Sequence, residues 1–183
     1  MNRRLVILDR DGVINQDSDE YIKNESEWVP ITGSIEAISR LKKNGFLVAV
    51  ATNQSGIRRK YFSTRTLSFM HNKLSRYLLA NGCHIDGLFF CPHIDSDRCD
   101  CRKPHTLLYK RISEYFGVEL NNIPVVGDSP RDLAAAFQCH AKPILVLTGK
   151  GKASSPKVSS IKENIPVFKD LEHAVDAIIA NAV

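Results

Sequence analysis

The sequence predicts a doubly wound α/β domain: a parallel sheet with helices on both faces, Rossmann-like in its alternation. Three observations carry this. Short aliphatic runs such as Leu5-Val6-Ile7-Leu8 are continuous rather than alternating, as in strands buried on both faces. Stretches whose apolar residues recur at helical spacing separate those runs. The residues with chemistry to offer follow the runs directly, at the strand ends where open α/β sheets place their ligands.

Taken in order, residues 5–8 form the first strand and run into Asp9-Arg10-Asp11-Gly12-Val13. The polar, acidic stretch 15–28 reads as a surface loop ending at Val29-Pro30. Ser34 is the expected cap of a helix carrying Ile35, Ile38 and Leu41, with Gly45 as its stop. Residues 46–51 form a second buried strand, followed by Thr52-Asn53-Gln54-Ser55-Gly56. Ser63 or Thr64 starts a longer helix with Leu67, Met70, Leu74 and Leu78 facing inward and Gly82 ending it. His71 on that helix reads as structural or exposed. Residues 85–90 give a third strand, then an irregular loop to Pro104 and a helix over about 106–116. Residues 123–126 form the fourth strand and deliver Gly127-Asp128-Ser129; Pro130 suits a first helical turn, and Ser129 with Asp132 approximates a capping box. A fifth strand (143–147), a Gly/Ser/Lys-rich connection (149–162), a short strand at Val167-Phe168 and a helix capped by Asp170 complete the chain. No repeat or linker divides it, so a single domain over 1–183 is expected, with right-handed crossovers.

The composition, 43% hydrophobic and 25% charged, is that of a soluble globule, and no apolar run reaches the roughly 20 residues a membrane span needs. Met1-Asn2-Arg3-Arg4 enters the first strand without an apolar region or cleavage site, so a cytoplasmic protein with reduced thiols is expected. The net charge of +5 permits nucleic acid, but the basic residues are scattered and no long basic face with stacking aromatics is visible. The tightest cluster, Arg58-Arg59-Lys60, suits a small anion equally well.

Chemistry collects at the strand ends: Asp9 and Asp11 after the first, Thr52 and Asn53 after the second, Lys103 after the third and Asp128 after the fourth. Carboxylates packed together call for a cation, and all-oxygen ligands select a hard one, Mg²⁺. One carboxylate can attack phosphorus to give an aspartyl-phosphate, and a second can serve as general acid and then base. Lys103, Thr52 and loop amides can stabilise the phosphoryl oxygens.

These four segments resemble the motifs of the haloacid dehalogenase-like (HAD) phosphatases. The resemblance implies Asp9 as nucleophile, Asp11 as general acid/base, and Mg²⁺ held by Asp9, the Asp11 carbonyl and Asp128. Many members carry an inserted cap domain; the intervals here leave room only for loops or single βα units, so a capless, open site is expected.

Cys91-Pro92-His93 followed by Cys99-Asp100-Cys101 puts three thiols and an imidazole on one loop, a set suited to a tetrahedral structural Zn²⁺. Surface thiols or a disulfide are the alternatives; a reducing compartment argues against the disulfide. Cys83 and Cys139 are isolated and read as small apolar residues. The zinc loop with Arg102-Lys103-Pro104 and Asn53-Gln54-Ser55-Gly56-Ile57 narrows the resemblance to the subgroup of heptose bisphosphate and histidinol-phosphate phosphatases. It implies Thr52, Asn53, Ser55, Arg59 and Arg102 as substrate contacts. Departures are Lys60, where the family often has Gly, and Thr106-Leu107, where it often has Pro-Gly; the first could alter contact with a second phosphate. Arg59 and Arg102 favour a sugar bisphosphate over histidinol phosphate, because Arg forks match phosphate oxygens. The sugar reading implies a monomeric enzyme on the route to the ADP-heptose of lipopolysaccharide. A nucleic-acid 3′-phosphatase and a zinc-stabilised binding module without activity are the alternatives from other classes.

Overall fold

The computed structural model describes residues 4–158, 164–181 and 183; the expected chain start at Met1 and the end of the 149–162 connection lie outside them. Six parallel strands form one sheet in the order β3-β2-β1-β4-β5-β6. They are β1 (Arg4–Leu8), β2 (Phe46–Asn53), β3 (Gly87–Cys91), β4 (Pro124–Gly127), β5 (Lys142–Val146) and β6 (Val167–Phe168). Successive strands run outward from β1 on one side and from β4 on the other, so the strand order reverses between β1 and β4. That reversal opens a crevice at the carboxyl ends of these two central strands.

The continuous aliphatic runs are buried on both faces. Val6 and Leu8 pack with helices α1 (Ser34–Lys43), α2 (Thr64–Ala80) and α6 (Leu171–Ile179) on one side of the sheet. Leu5 and Ile7 pack with α3 (Leu107–Phe116) and α4 (Pro130–Gln138) on the other.

Several elements differ from the sequence expectation. The cap of α1 is Gly33 at φ 82°, and the Ser34 hydroxyl instead donates to the Ile14 carbonyl at 2.6 Å. A glycine takes that left-handed conformation without steric cost, which leaves the serine free to tie down the preceding loop. The connection after β5 contains a helix, α5 (Gly151–Val158), despite its Pro156. The stretch 15–28 is not a purely surface loop: Asn15 and Trp28 are fully buried. Lys73 of α2 donates to the Glu25 and Trp28 carbonyls at 2.8 and 2.7 Å, which pins the loop against the core. Lys60 has φ 62°, a conformation glycine adopts more easily, and its side chain is exposed outside the site cavity. The departure at Lys60 thus bears on the backbone conformation of this turn.

Candidate active site

The site is a cavity of about 320 Å³ at the carboxyl ends of the strands, with Asp9, Asp11, Thr52, Asn53, Ser55, Arg59, Arg102, Lys103 and Asp128 all in its wall. The expected nucleophile, acid/base, lysine, hydroxyls and arginines are thus brought together. Asp9 continues β1, its amide bonded to the Val126 carbonyl of β4 at 2.9 Å. Its Oδ1 accepts from the Arg10 amide at 2.7 Å and pairs with Lys103 Nζ at 3.0 Å. These contacts fix the carboxylate and leave Oδ2 the less encumbered oxygen.

Lys103 is buried, and Nζ also reaches the Ala51 carbonyl at 2.7 Å and Asp132 Oδ1 at 2.6 Å. Burial opposes its charge, but Asp132 and Asp9 more than offset this and hold its pKa above the usual lysine value. Asp132 does more than complete the capping box. Its Oδ2 accepts from the Ser129 amide and hydroxyl at 3.1 and 2.6 Å, while Oδ1 holds the lysine. The capping signal at Ser129-x-x-Asp132 was legible in the sequence; the pairing with Lys103 was not.

Asn53 turns toward the lysine backbone. Its Oδ1 accepts from the Lys103 amide and its Nδ2 donates to the Lys103 carbonyl, both at 3.1 Å. This reciprocal pair extends the β2–β3 edge onto the loop carrying the lysine. Thr52 Oγ1 accepts from Gln54 Nε2 at 2.9 Å, and the same nitrogen reaches Asp11 Oδ2 at 2.8 Å.

The Asp11 carboxylate is held apart from the Asp9 cluster. Arg10, itself buried, grips it from Nε at 3.0 Å and from Nη2 at 2.7 and 2.8 Å, and Asn15 donates to Oδ1 at 2.9 Å. Burial pushes the Asp11 carboxyl up, yet Arg10 and the bonds from Asn15 and Gln54 outweigh it and leave the pKa lowered. The resting side chain is therefore the anion. His71 is neither idle nor fully exposed: its Nε2 lies 3.3 Å from Arg10 Nη1, and burial followed by the Arg10 charge lowers its pKa to about 3. A neutral ring there accepts from the guanidinium and props it against Asp11. Gln54, Arg10 and His71 escape the sequence reading as site residues because each works through a neighbour; Arg131, also in the wall, lies in the first turn of α4 with no sequence signal to mark it.

Asp9, Asp128 and Asp132 offer carboxylate oxygens within 4.8 Å of one another. Three carboxylates face one ammonium, so two negative charges are unmatched, which a divalent cation would balance. Burial, then Asp132, raise Asp9 well above the usual carboxylate range, and the same causes push Asp128 up to about 7. Asp128 is otherwise steadied by the Lys150 amide at 2.8 Å, while Lys150 Nζ reaches Asp17 and Asp19 at 3.5 and 3.1 Å. The donor set fits Mg²⁺.

These raised values fix the sign of a pH effect. Between the ordinary carboxylate range and about pH 7, the folded metal-free protein keeps protons that the unfolded chain has released. The contribution of these groups to stability therefore falls as pH rises through that window. Magnesium requires the ionised carboxylates, so it should stabilise more at pH 8 than at pH 5.5. At a hundredfold excess over Kd the gain is about 2.7 kcal/mol, several degrees in Tm. Melting with and without Mg²⁺ at the two pH values checks this; equal shifts would contradict it.

The four residues of the cysteine loop converge as expected. Cys91 Sγ lies 3.7 Å from Cys99 Sγ and 3.1 Å from Cys101 Sγ, the latter two are 3.6 Å apart, and His93 Nδ1 is 3.6 Å from Cys91 Sγ and 3.3 Å from Cys101 Sγ. Tetrahedral zinc, with bonds of about 2.3 Å to sulfur and 2.0–2.1 Å to nitrogen, puts sulfurs about 3.8 Å apart and sulfur from nitrogen about 3.5 Å. The set fits zinc once the Cys91–Cys101 pair opens by about 0.7 Å. Cys83 is buried with its thiol toward the Leu78 carbonyl, and Cys139 closes α4.

Comparison with known proteins adds the following. The HAD-hydrolase-like family profile matches residues 100–174. The chain is 47% identical over 179 residues, 98% of its length and 99% of the relative's, to the D-glycero-beta-D-manno-heptose-1,7-bisphosphate 7-phosphatase of Pseudomonas aeruginosa. It superposes on a crystal structure of the D,D-heptose 1,7-bisphosphate phosphatase from B. bronchiseptica complexed with magnesium and phosphate. The TM-score is 0.94 at 42% identity, covering 97% of this chain and 99% of that one. A second crystal structure of a D,D-heptose 1,7-bisphosphate phosphatase, from Burkholderia thailandensis, matches with a TM-score of 0.77 at 40% identity, covering 97% and 99%.

Proposed function

The chain belongs to the family of D-glycero-beta-D-manno-heptose-1,7-bisphosphate 7-phosphatases within the HAD-like hydrolases, and we propose that it removes the C7 phosphate of that sugar bisphosphate. Bound Mg²⁺, held by Asp9, Asp128 and the Asp11 carbonyl, would supply positive charge to the transferring phosphoryl group. Asp9 attacks phosphorus and Asp11 protonates the departing sugar oxygen, giving an aspartyl-phosphate. Asp11, again an anion, then takes a proton from the water that attacks phosphorus and hydrolyses this acyl phosphate, releasing Asp9 and inorganic phosphate. For the first step Asp11 must receive a proton, and the Arg10 grip must loosen as substrate enters. Lys103, fixed by Asp132 and by the Ala51 carbonyl, holds the Asp9 carboxylate for attack. Zn²⁺ on Cys91, His93, Cys99 and Cys101 would serve structure alone, by shaping the loop that carries Arg102 and Lys103.

The observation that supports a bisphosphate is the presence of Arg59, Arg102 and Arg131 in the wall of the cavity that holds the nucleophile. A single phosphate occupies the Asp9 end; the guanidinium groups suit a second, at C1. The free cysteines suit the reducing cytoplasm, and among the described residues no helix is long and apolar enough to cross a membrane. The reading places the enzyme on the route to ADP-heptose.

Arg102→Ala tests it. Binding energy from the distal phosphate orients the reacting one, so kcat/KM on the bisphosphate should fall about 10–100-fold, with a much smaller loss on an aryl phosphate. Equal losses would place Arg102 at the transferring phosphate. No loss on either would remove it from the site and with it the main support for a bisphosphate.

A further inference from the structure

The guanidinium cluster that the bisphosphate reading assigns to the C1 phosphate already holds an anion from the chain itself. Asp95, at the start of the short turn Asp95–Asp97 in the cysteine loop, lies in the wall of the same cavity. Its Oδ1 accepts from Arg102 Nε at 2.6 Å. Arg102, and then the more distant Arg131 and Arg59 charges, hold its carboxyl below the usual range. The two partners are built differently. The Arg102 side chain is 9% exposed and that of Asp95 is 81% exposed, so the arginine belongs to the wall and the aspartate reaches over it from solvent. Arg102 Nη1 also donates to the His93 carbonyl at 3.3 Å, an anchor that does not depend on Asp95.

Asp97, two residues on, has a different task. It accepts from the Ile94 amide at 3.0 Å and pairs with Arg58 at 3.0 Å, which secures the turn. The Asp95 side chain makes no such tie; among the described residues its one hydrogen bond is to the arginine.

We propose that Asp95 is a placeholder in the distal subsite: its carboxylate stands, in the substrate-free enzyme, where a distal phosphate of the substrate binds, and that phosphate must displace it. This rests on the bisphosphate reading. Arginine recognises phosphate best through two parallel N–H groups, and Nε is half of one such fork. With Nε engaged by Asp95 and Nη1 by His93, a two-pronged contact along the Nε edge requires Asp95 to leave. A singly charged or neutral distal group would exchange one monoanion for another or for nothing. A phosphate dianion brings additional charge to three guanidinium groups, so the exchange favours it. Asp95 thereby sets a fixed cost on occupying the distal subsite: it falls on the bisphosphate, which needs Arg102, and leaves a simple monophosphate untouched.

The test compares wild-type protein with Asp95→Asn and Asp95→Ala, using heptose 1,7-bisphosphate and 4-nitrophenyl phosphate as substrates. Asparagine keeps the shape and can still accept from Arg102, but it removes the charge. For both variants the KM for the bisphosphate, relative to that for the aryl phosphate, should fall about 3–10-fold, the worth of one exposed charge-assisted hydrogen bond. A rise in this ratio would show that Asp95 holds Arg102 in position for substrate, and no change would show that it does neither; both overturn the proposal. Wild-type protein with no preference for the bisphosphate would overturn the underlying reading as well, which separates the two failures.

Discussion

Asp9→Asn is expected to abolish turnover, lowering kcat by more than about 10⁴-fold on any phosphate monoester. An amide oxygen is a poor nucleophile toward phosphorus and a weaker ligand for magnesium. The structure adds that the protein should survive the change. Lys103 loses one counter-charge but keeps Asp132 at 2.6 Å and the Ala51 carbonyl at 2.7 Å, so its ammonium stays paired. Removing one of several crowded buried carboxylates also relieves repulsion, so thermal stability without metal should hold or rise. Steady-state kinetics with a melting curve check both halves. Activity within tenfold of wild type would remove Asp9 as the nucleophile.

Loss of the zinc proposed for the cysteine loop is expected to have the second largest effect, although none of its four ligands lies in the wall of the site cavity. Cys101 immediately precedes Arg102 and Lys103, and Gln54 is tied to Cys91 through an amide–carbonyl bond of 2.7 Å. The cysteine loop is therefore continuous with two of the site's cations and with the glutamine that touches Asp11. Without metal, three thiols and an imidazole have no reason to stay gathered, and binding energy that belongs to the folded loop is lost. Displacing a catalytic group by about 1 Å costs on the order of 10²-fold, so chelated protein or Cys99→Ser should lose at least that much in kcat/KM. Hydrogen exchange should rise across residues 91–105 while the sheet stays protected. Elemental analysis should show one zinc in wild type and less in the variant. Full activity in verified zinc-free protein would mean the loop holds Lys103 unaided.

The parts legible in the sequence share a physical trait: they depend on neighbours along the chain. Buried parallel strands show as aliphatic runs, Asp9 and Asp11 as strand-end acids, and the metal loop as dense thiols. What stayed hidden depends on neighbours in space. Asp132 carries a local capping signal that fully accounts for its presence, so nothing pointed to the lysine on its other oxygen. His71 sits on a helix face otherwise explained by core packing, and only the fold brings it to Arg10. Trp28 lay in a polar stretch that read as solvated, because one large apolar residue has no periodicity to announce burial. Serine favours the cap position and so points to Ser34, but Gly33 at positive φ takes it instead.

The meeting of Gly12, Asp128 and Gly149 has a consequence for how this sequence can vary. Both glycines have positive φ, and a Cβ on either would collide with the Asp128 carboxylate. Gly12 and Gly149 also face one another so closely that a Cβ on Gly149 would run into the Gly12 backbone. Three points far apart in the chain are thus locked into one steric unit. No single exchange at either glycine can be rescued by a second exchange at the other, since each meets Asp128 on its own account. The neighbourhood of this carboxylate offers no neutral mutational path, whereas the exposed Arg59 in the cavity wall meets no such steric limit. A lineage of such enzymes is accordingly free to explore new distal groups on its substrates while the phosphoryl-transfer end stays fixed.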